Sequence, residues 1–153
     1  MKVTKLSILV ALIVWIASHN LAIAEDVTVQ VEGAWSRASI LADRPGAAYM
    51  TITNNGNNLT TITSVKSEIA RKTEIHKSET KNGVASMTPS GAIDIMPNEV
   101  VVLEPGGLHI MLMKLSQKLN EGDRFLVTLV FDQTTEVTVK VPVLEVTARG
   151  PQN

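Results

Sequence analysis

The sequence has no cysteine in its 153 residues. That excludes disulfide staples, which an exported domain is free to use. It excludes the thiolate that a blue-copper electron-transfer centre requires, and with it any thiolate zinc cage. It also excludes a lipid anchor on a cysteine after the leader described below. Histidine is scarce too, at three residues. There is no long basic run, so nucleic acid and anionic membrane surfaces are poor partners. No G-x-S-x-G, H-E-x-x-H or phosphate-binding glycine loop is present, and no carboxylate pair has a base or nucleophile beside it. Nothing in the chain is arranged for hydrolysis, and the reading is of a protein that is not an enzyme.

What is present begins with a leader. Lys2 and Lys5 precede the apolar run Leu6–Ala17, and Ala22-Ile23-Ala24 fits a small-x-small cleavage pattern. The run is shorter than the ~20 apolar residues that cross a bilayer. Residues 1–24 therefore read as a secretory signal cleaved after Ala24, so the mature protein is exported, with no stable membrane insertion. Losing Lys2 and Lys5 takes the formal charge from −1 to −3. The remaining length is enough for one core without staples.

The mature chain reads as strands throughout. Alternating or threonine- and valine-rich runs occupy Val27–Trp35, Ala47–Asn54, Leu59–Val65, Arg71–Glu79, Gly83–Met87, Leu108–Leu115, Arg124–Phe131 and Glu136–Val143. The segment Asn55-Gly56-Asn57-Asn58 predicts a hairpin between the second and third, and Asn82-Gly83 another. Lys114–Lys118 leaves room for a short helical turn. Recurrent turns with no helical period predict an all-β Greek-key sandwich or barrel over residues 25–146. The polar tail, 147–153, is expected to fray.

The chemistry concentrates in two places. In Gly106–Leu115, "GGLHIMLMKL", the period of 2 puts His109, Met111 and Met113 on one face and Ile110 and Leu112 on the other. The Pro105-Gly106-Gly107 turn sets His109 near a strand start, where an exposed ligand belongs. In "TEIHKSETKNGVASM", His76 and Met87 flank the Asn82-Gly83 turn at comparable distances and can be cross-strand neighbours. Thioether sulfur is soft and suits Cu(I), imidazole also binds copper, and zinc rarely takes a thioether. Taken singly, each residue has a plainer explanation. A strand methionine is most often core filler, and a lone strand histidine is usually on the surface or satisfied in the core. On chemistry and spacing alone, a soft metal site and incidental packing both stand. Met113 reads as packing beneath the site, Met50 and Met96 as structural, and Trp35 and Arg37 as core or as part of a partner-facing surface. The sequon at Asn58 reads as chance.

The spacing His76-x10-Met87-x21-His109-x-Met111 resembles the H-x10-M-x21-H-x-M signature of the PCu(A)C periplasmic copper chaperones. The segments "GAAYMTITN", "NGVASM", "LEPGGLHIMLM", "EGDRFLVTLVF" and "EVTVKVPV" are similar to that family's, over about Val31–Val143. The resemblance implies a cupredoxin-like sandwich with one exposed Cu(I) on His76, Met87, His109 and Met111. It also implies delivery to the Cu(A) centre of cytochrome c oxidase, alongside Sco-type thiol proteins. The chain itself is read as a monomer. Two departures stand out. Lys77, Ser78 and Glu79 occupy the place where many members carry a further methionine, and "EVTARGPQN" has no His- or Met-rich extension for a second copper. The competing readings are a copper buffer without specific delivery and a metal-free binding or assembly module.

Overall fold

A computed structural model describes residues 28–41, 43–132 and 135–151. The leader and its cleavage site lie outside them. The described chain is all-β. Its strands are β1 (Val29–Arg37), β2 (Gly46–Asn54), β3 (Thr60–Lys66), β4 (Ala70–Lys81), β5 (Val84–Pro89), β6 (Ile93–Ile95), β7 (Val100–Leu103), β8 (Leu108–Leu115), β9 (Arg124–Phe131) and β10 (Glu136–Leu144). They form one connected ladder in the order β5-β4-β8-β7-β2-β1-β10-β9-β3-β6. The ladder is antiparallel except where β1 meets β10 and at a single rung between β7 and β8. The ladder folds over on itself, bringing β3 near β4. Met50, Ile52, Ile110 and Leu112 from one layer then pack with Ile62, Val127, Leu129, Phe131 and Val141 from the other. The result is a sandwich whose core is built from alternating inward residues.

A bulge sets the start of the chain. Between Glu32 and Trp35 the register against β2 shifts, with Gly33 at φ +59°. One extra residue reverses the alternation. Val29 therefore joins the main core, while Trp35 turns to the opposite face and packs with Tyr49 and Ala148 in a second small cluster. Arg37 stacks over the Trp35 ring at 5.8 Å, and its Nε donates to the Ala148 carbonyl at 2.7 Å. The tail, expected to fray from residue 147, is thus held at Ala148.

Two further expectations are corrected. β2 and β3 do not form a hairpin; β2 pairs with β1, β7 and β8, and β3 with β6 and β9. The fully buried Asn54 side chain redirects the chain instead. Its Nδ2 donates to the carbonyls of Asn58 (2.8 Å) and Ile95 (2.9 Å), and its Oδ1 accepts from the Gly56 N–H at 2.9 Å. This side-chain turn satisfies the crossing loop as a local turn would, yet sends the chain to the other layer. Residues 114–118 contain no helical turn. The Ser116 N–H bonds to Ile69, and Leu119, buried, exchanges bonds with Ser39, so long-range partners take the backbone groups a helix would need. The Asn82-Gly83 hairpin forms as expected, with both residues at positive φ and Lys81 opposite Val84.

Two outcomes follow. Asn54→Ala should lower stability by about 3 kcal/mol, because it strands the buried Ile95 carbonyl and Gly56 N–H as well as removing bonds; urea unfolding followed by Trp35 fluorescence measures it. Burial raises the pKa of Tyr49 above its ordinary value, partly opposed by the nearby Arg37 charge. Tyr49 is the only tyrosine, so phenolate absorbance reports it alone. Its midpoint should lie above that of the urea-unfolded chain. A raised acid favours the fold below the unfolded value and loses that contribution as pH climbs through the folded one, so stability should fall in strong alkali.

Candidate metal centre

The candidate donors are assembled by two ladders. Ile110 and Leu112 are fully buried in the core, so period 2 turns His109, Met111 and Met113 to the other face of β8. On β4, Ile75 is the core residue, and His76 faces the same way as His109. The register pairs His76 with His109, Glu74 with Met111 and Lys72 with Met113. The two histidines are thus direct cross-strand partners, a pairing that local spacing did not reveal. Their ring centroids lie 6.1 Å apart at an interplanar angle of 52°. With metal–nitrogen bonds of about 2 Å, one ion can lie between two rings at this separation.

Each ring has one nitrogen committed. His109 Nδ1 lies 3.2 Å from the Gly107 carbonyl, which can only accept, so Nδ1 carries the proton and Nε2 keeps its lone pair. His76 Nε2 lies 3.2 Å from Glu74 Oε2. His76 Nδ1 is buried with no hydrogen-bond partner among the described residues. Buried polar atoms are rarely left so, and an unpartnered imidazole nitrogen beside a second histidine fits a metal ligand. No three His, Cys, Asp or Glu residues among those described come together to hold an ion. On the same face as the two histidines stand the thioethers of Met87, Met111 and Met113.

The methionines differ in position. Met111 is half-buried between Glu74 of β4 and Ala47 of β2. Met87 does not sit opposite His76. The two-residue turn fixes the count, so Met87 faces Ser78 and His76 faces Pro89. Met87 is instead a diagonal neighbour on the same face, and diagonal pairs lie about 7–8 Å apart, within reach of a long side chain. β5 is an edge strand exposed along its length, and Met87 is 57% exposed. The histidines, expected near an exposed edge, are 8% and 4% exposed. Met113 is half-buried opposite Lys72, Met50 is core, and Met96 is exposed in a turn. Trp35 is buried, as noted above. An open cavity of about 450 Å³ beyond Ala47, lined by Arg37, Ile40, Leu41, Arg44, Tyr49 and Val146, contains neither imidazole nor thioether.

Glu74 is the one site residue that the sequence reading missed. Its carboxyl is held below the usual range by a hydrogen bond from Lys72 and then by one from His76. The signal was there to use: a glutamate two residues before a strand histidine shares its face.

A family model described as "Putative lipoprotein LpqE-like" matches residues 29–143. The chain belongs to the LpqE-like (PCuAC) family. A putative lipoprotein of Leifsonia xyli subsp. xyli is 34% identical over 116 residues, covering 75% of this chain and 69% of that protein. The apo PmoF2 PCuAC domain superposes with a TM-score of 0.67 at 27% identity, over 81% of this chain and 95% of that one. The solution structure of CuI-DR1885 from Deinococcus radiodurans gives 0.62 at 27% identity, over 80% and 83%. The PCuAC fold is the cupredoxin-like sandwich expected from the sequence.

Exposure separates the methionines energetically. Met50→Ala should cost about 2–5 kcal/mol through the core cavity it leaves. Met87→Ala should stay within about 0.5 kcal/mol of the parent, as a surface change does. Parallel urea denaturation of the metal-free variants checks both.

Proposed function

We propose that this protein is an exported copper carrier, not an enzyme. It binds one Cu(I) through His76, Met87, His109 and Met111 and passes it on in the periplasm. The observation that carries the reading is the cross-strand His76–His109 pair, with an unpartnered buried Nδ1 and Met111 on the same face. The family supports it: one structural relative is CuI-DR1885. The donor set supports it too, since two neutral imidazoles and two thioethers suit a soft d¹⁰ cation and place no thiolate in the way of release. The family model and the Leifsonia relative are described as lipoproteins, which agrees with export, although these 153 residues hold no cysteine to take a lipid. By the resemblance of its signature, the recipient is the Cu(A) centre of cytochrome c oxidase, with Sco-type thiol proteins alongside, and the carrier acts as a monomer.

The geometry supports a sequence of ligand exchange. Met87, on the exposed edge strand, is the donor that an incoming thiolate meets first. A neutral thioether yields readily to a thiolate, which is a better ligand for Cu(I). Met111 is half-buried, and the two imidazoles are buried and hydrogen-bonded, so they release last. Entry and exit thus share the β5 edge.

Titration of the mature protein with Cu(I) against a chromophoric competitor should give one equivalent bound. His109→Ala should weaken binding by more than about 100-fold, because loss of a mere supporting partner already costs 10–100-fold. Met87→Ala should weaken it less and should speed transfer to an apo Cu(A) domain, followed by the purple-centre absorbance, because the position the thiolate enters is already open. Zero stoichiometry overturns the copper reading, and tight binding with no transfer would make the protein a buffer.

A further inference from the structure

β4 turns Lys72, Glu74 and His76 to one face, opposite Met113, Met111 and His109. Glu74 occupies the middle of that row and is held at both oxygens. Oε1 accepts from Lys72 Nζ at 3.0 Å, and Oε2 lies 3.2 Å from His76 Nε2. A carboxylate can only accept, so this contact needs the proton on Nε2 and leaves the lone pair on Nδ1. Nδ1 is the buried atom without a partner. In a residue that only packs, that arrangement is unfavourable. In a ligand awaiting its ion, it is the prepared state.

We propose that Glu74 is a positioning residue that fixes His76 in the Nε2–H tautomer, so that Nδ1 is the atom offered to the metal. Lys72 steadies the carboxylate from the other side. His109 is prepared in the opposite sense, because the Gly107 carbonyl takes its Nδ1–H and leaves Nε2. The centre therefore uses different nitrogens from its two histidines. The difference comes from the backbone. On β4 the partner is a side chain on the same strand face, whereas on β8 it is a carbonyl released by the Pro105-Gly106-Gly107 turn. Carboxylate and carbonyl partners of this kind orient metal-binding imidazoles and set their tautomers. The affinity arm of the test rests on the copper reading above; the tautomer arm does not.

The test is histidine side-chain ¹⁵N spectroscopy on the metal-free mature protein at neutral pH, with Glu74→Gln and Glu74→Ala compared. The parent should show His76 protonated on Nε2 and His109 on Nδ1. Glu74→Gln retains an accepting amide oxygen and should keep the His76 tautomer, while Glu74→Ala should mix the two forms. His109 should be unchanged in both and serves as the internal control. Cu(I) affinity should fall 10–100-fold in Glu74→Ala and recover substantially in Glu74→Gln. The side chain is one-third exposed, so the urea midpoint of Glu74→Ala should stay close to the parent's and excludes loss of fold. The proposal is overturned if His76 carries its proton on Nδ1 in the parent, or if Glu74→Ala leaves the tautomer unchanged. If the parent binds no Cu(I), the carrier reading fails, and the tautomer populations alone still decide the role of Glu74.

Discussion

The register of β4 on β8 is the constraint on which the candidate centre depends. Ile75, Ile110 and Leu112 are buried, and they lock the two strands by driving apolar side chains into the sandwich. In a sheet, a slip of one residue exchanges the faces completely. It would send His109 and Met111 into the core and expose Ile110 and Leu112. The same hydrophobic burial that holds the fold therefore also aligns His76 with His109. The site needs no separate scaffold, and its polar members lie on the face that the core leaves over.

The loop before β8 adds the second requirement. Between Leu103 and Ile110 the chain advances seven residues while the facing β2 advances two, from Met50 to Ala48. The excess is taken up by the Pro105-Gly106-Gly107 turn, where Gly106 sits at φ +86° and the Gly107 N–H bonds back to the Glu104 carbonyl at 3.1 Å. A proline followed by a positive-φ glycine is the chemistry of a type II turn. The excursion frees the Gly107 carbonyl from the β2 ladder. That oxygen accepts from the Ser78 N–H of β4 and lies against His109 Nδ1. One backbone atom thus ties the β4 arm to β8 and sets the tautomer of a candidate ligand.

How much of this was legible follows from where each constraint resides. The two faces of β8, the Asn82-Gly83 hairpin and the all-β class come from period and turn chemistry, which are local. The direct pairing of His76 with His109 was not legible from spacing alone, since contact between β4 and β8 depends on long-range docking. Met87 opposite Ser78, not His76, was within reach: a two-residue loop fixes every rung outward from Lys81 and Val84. Asn55-Gly56-Asn57-Asn58 misled because Asn54 spends its side chain on a buried crossover, which a turn propensity cannot distinguish from a hairpin. Trp35 eluded the alternation rule because Gly33 inserts a bulge. The four-residue signature was legible from the family resemblance, whereas Glu74 lay outside that signature and emerged from the hydrogen bonding.

The arrangement also explains why a carrier would be built this way. Beyond Ile75, the inward face of β4 continues as Lys77, Glu79 and Lys81, which are ion-paired and outside the core. The β4–β5 arm therefore overhangs the sandwich, and its stability comes from the ladder and the tight turn, since exposed ion pairs contribute little. The candidate donors are graded along one direction: buried imidazoles rooted in the body, a half-buried thioether beside them and an exposed thioether on the overhang. A permanent cofactor site would gain from burying all four. A site that must hold a soft cation and also surrender it gains from keeping its rigid, preorganised donors inside and its weakest, most accessible donor at the edge, where a competing ligand can replace it without disturbing the core.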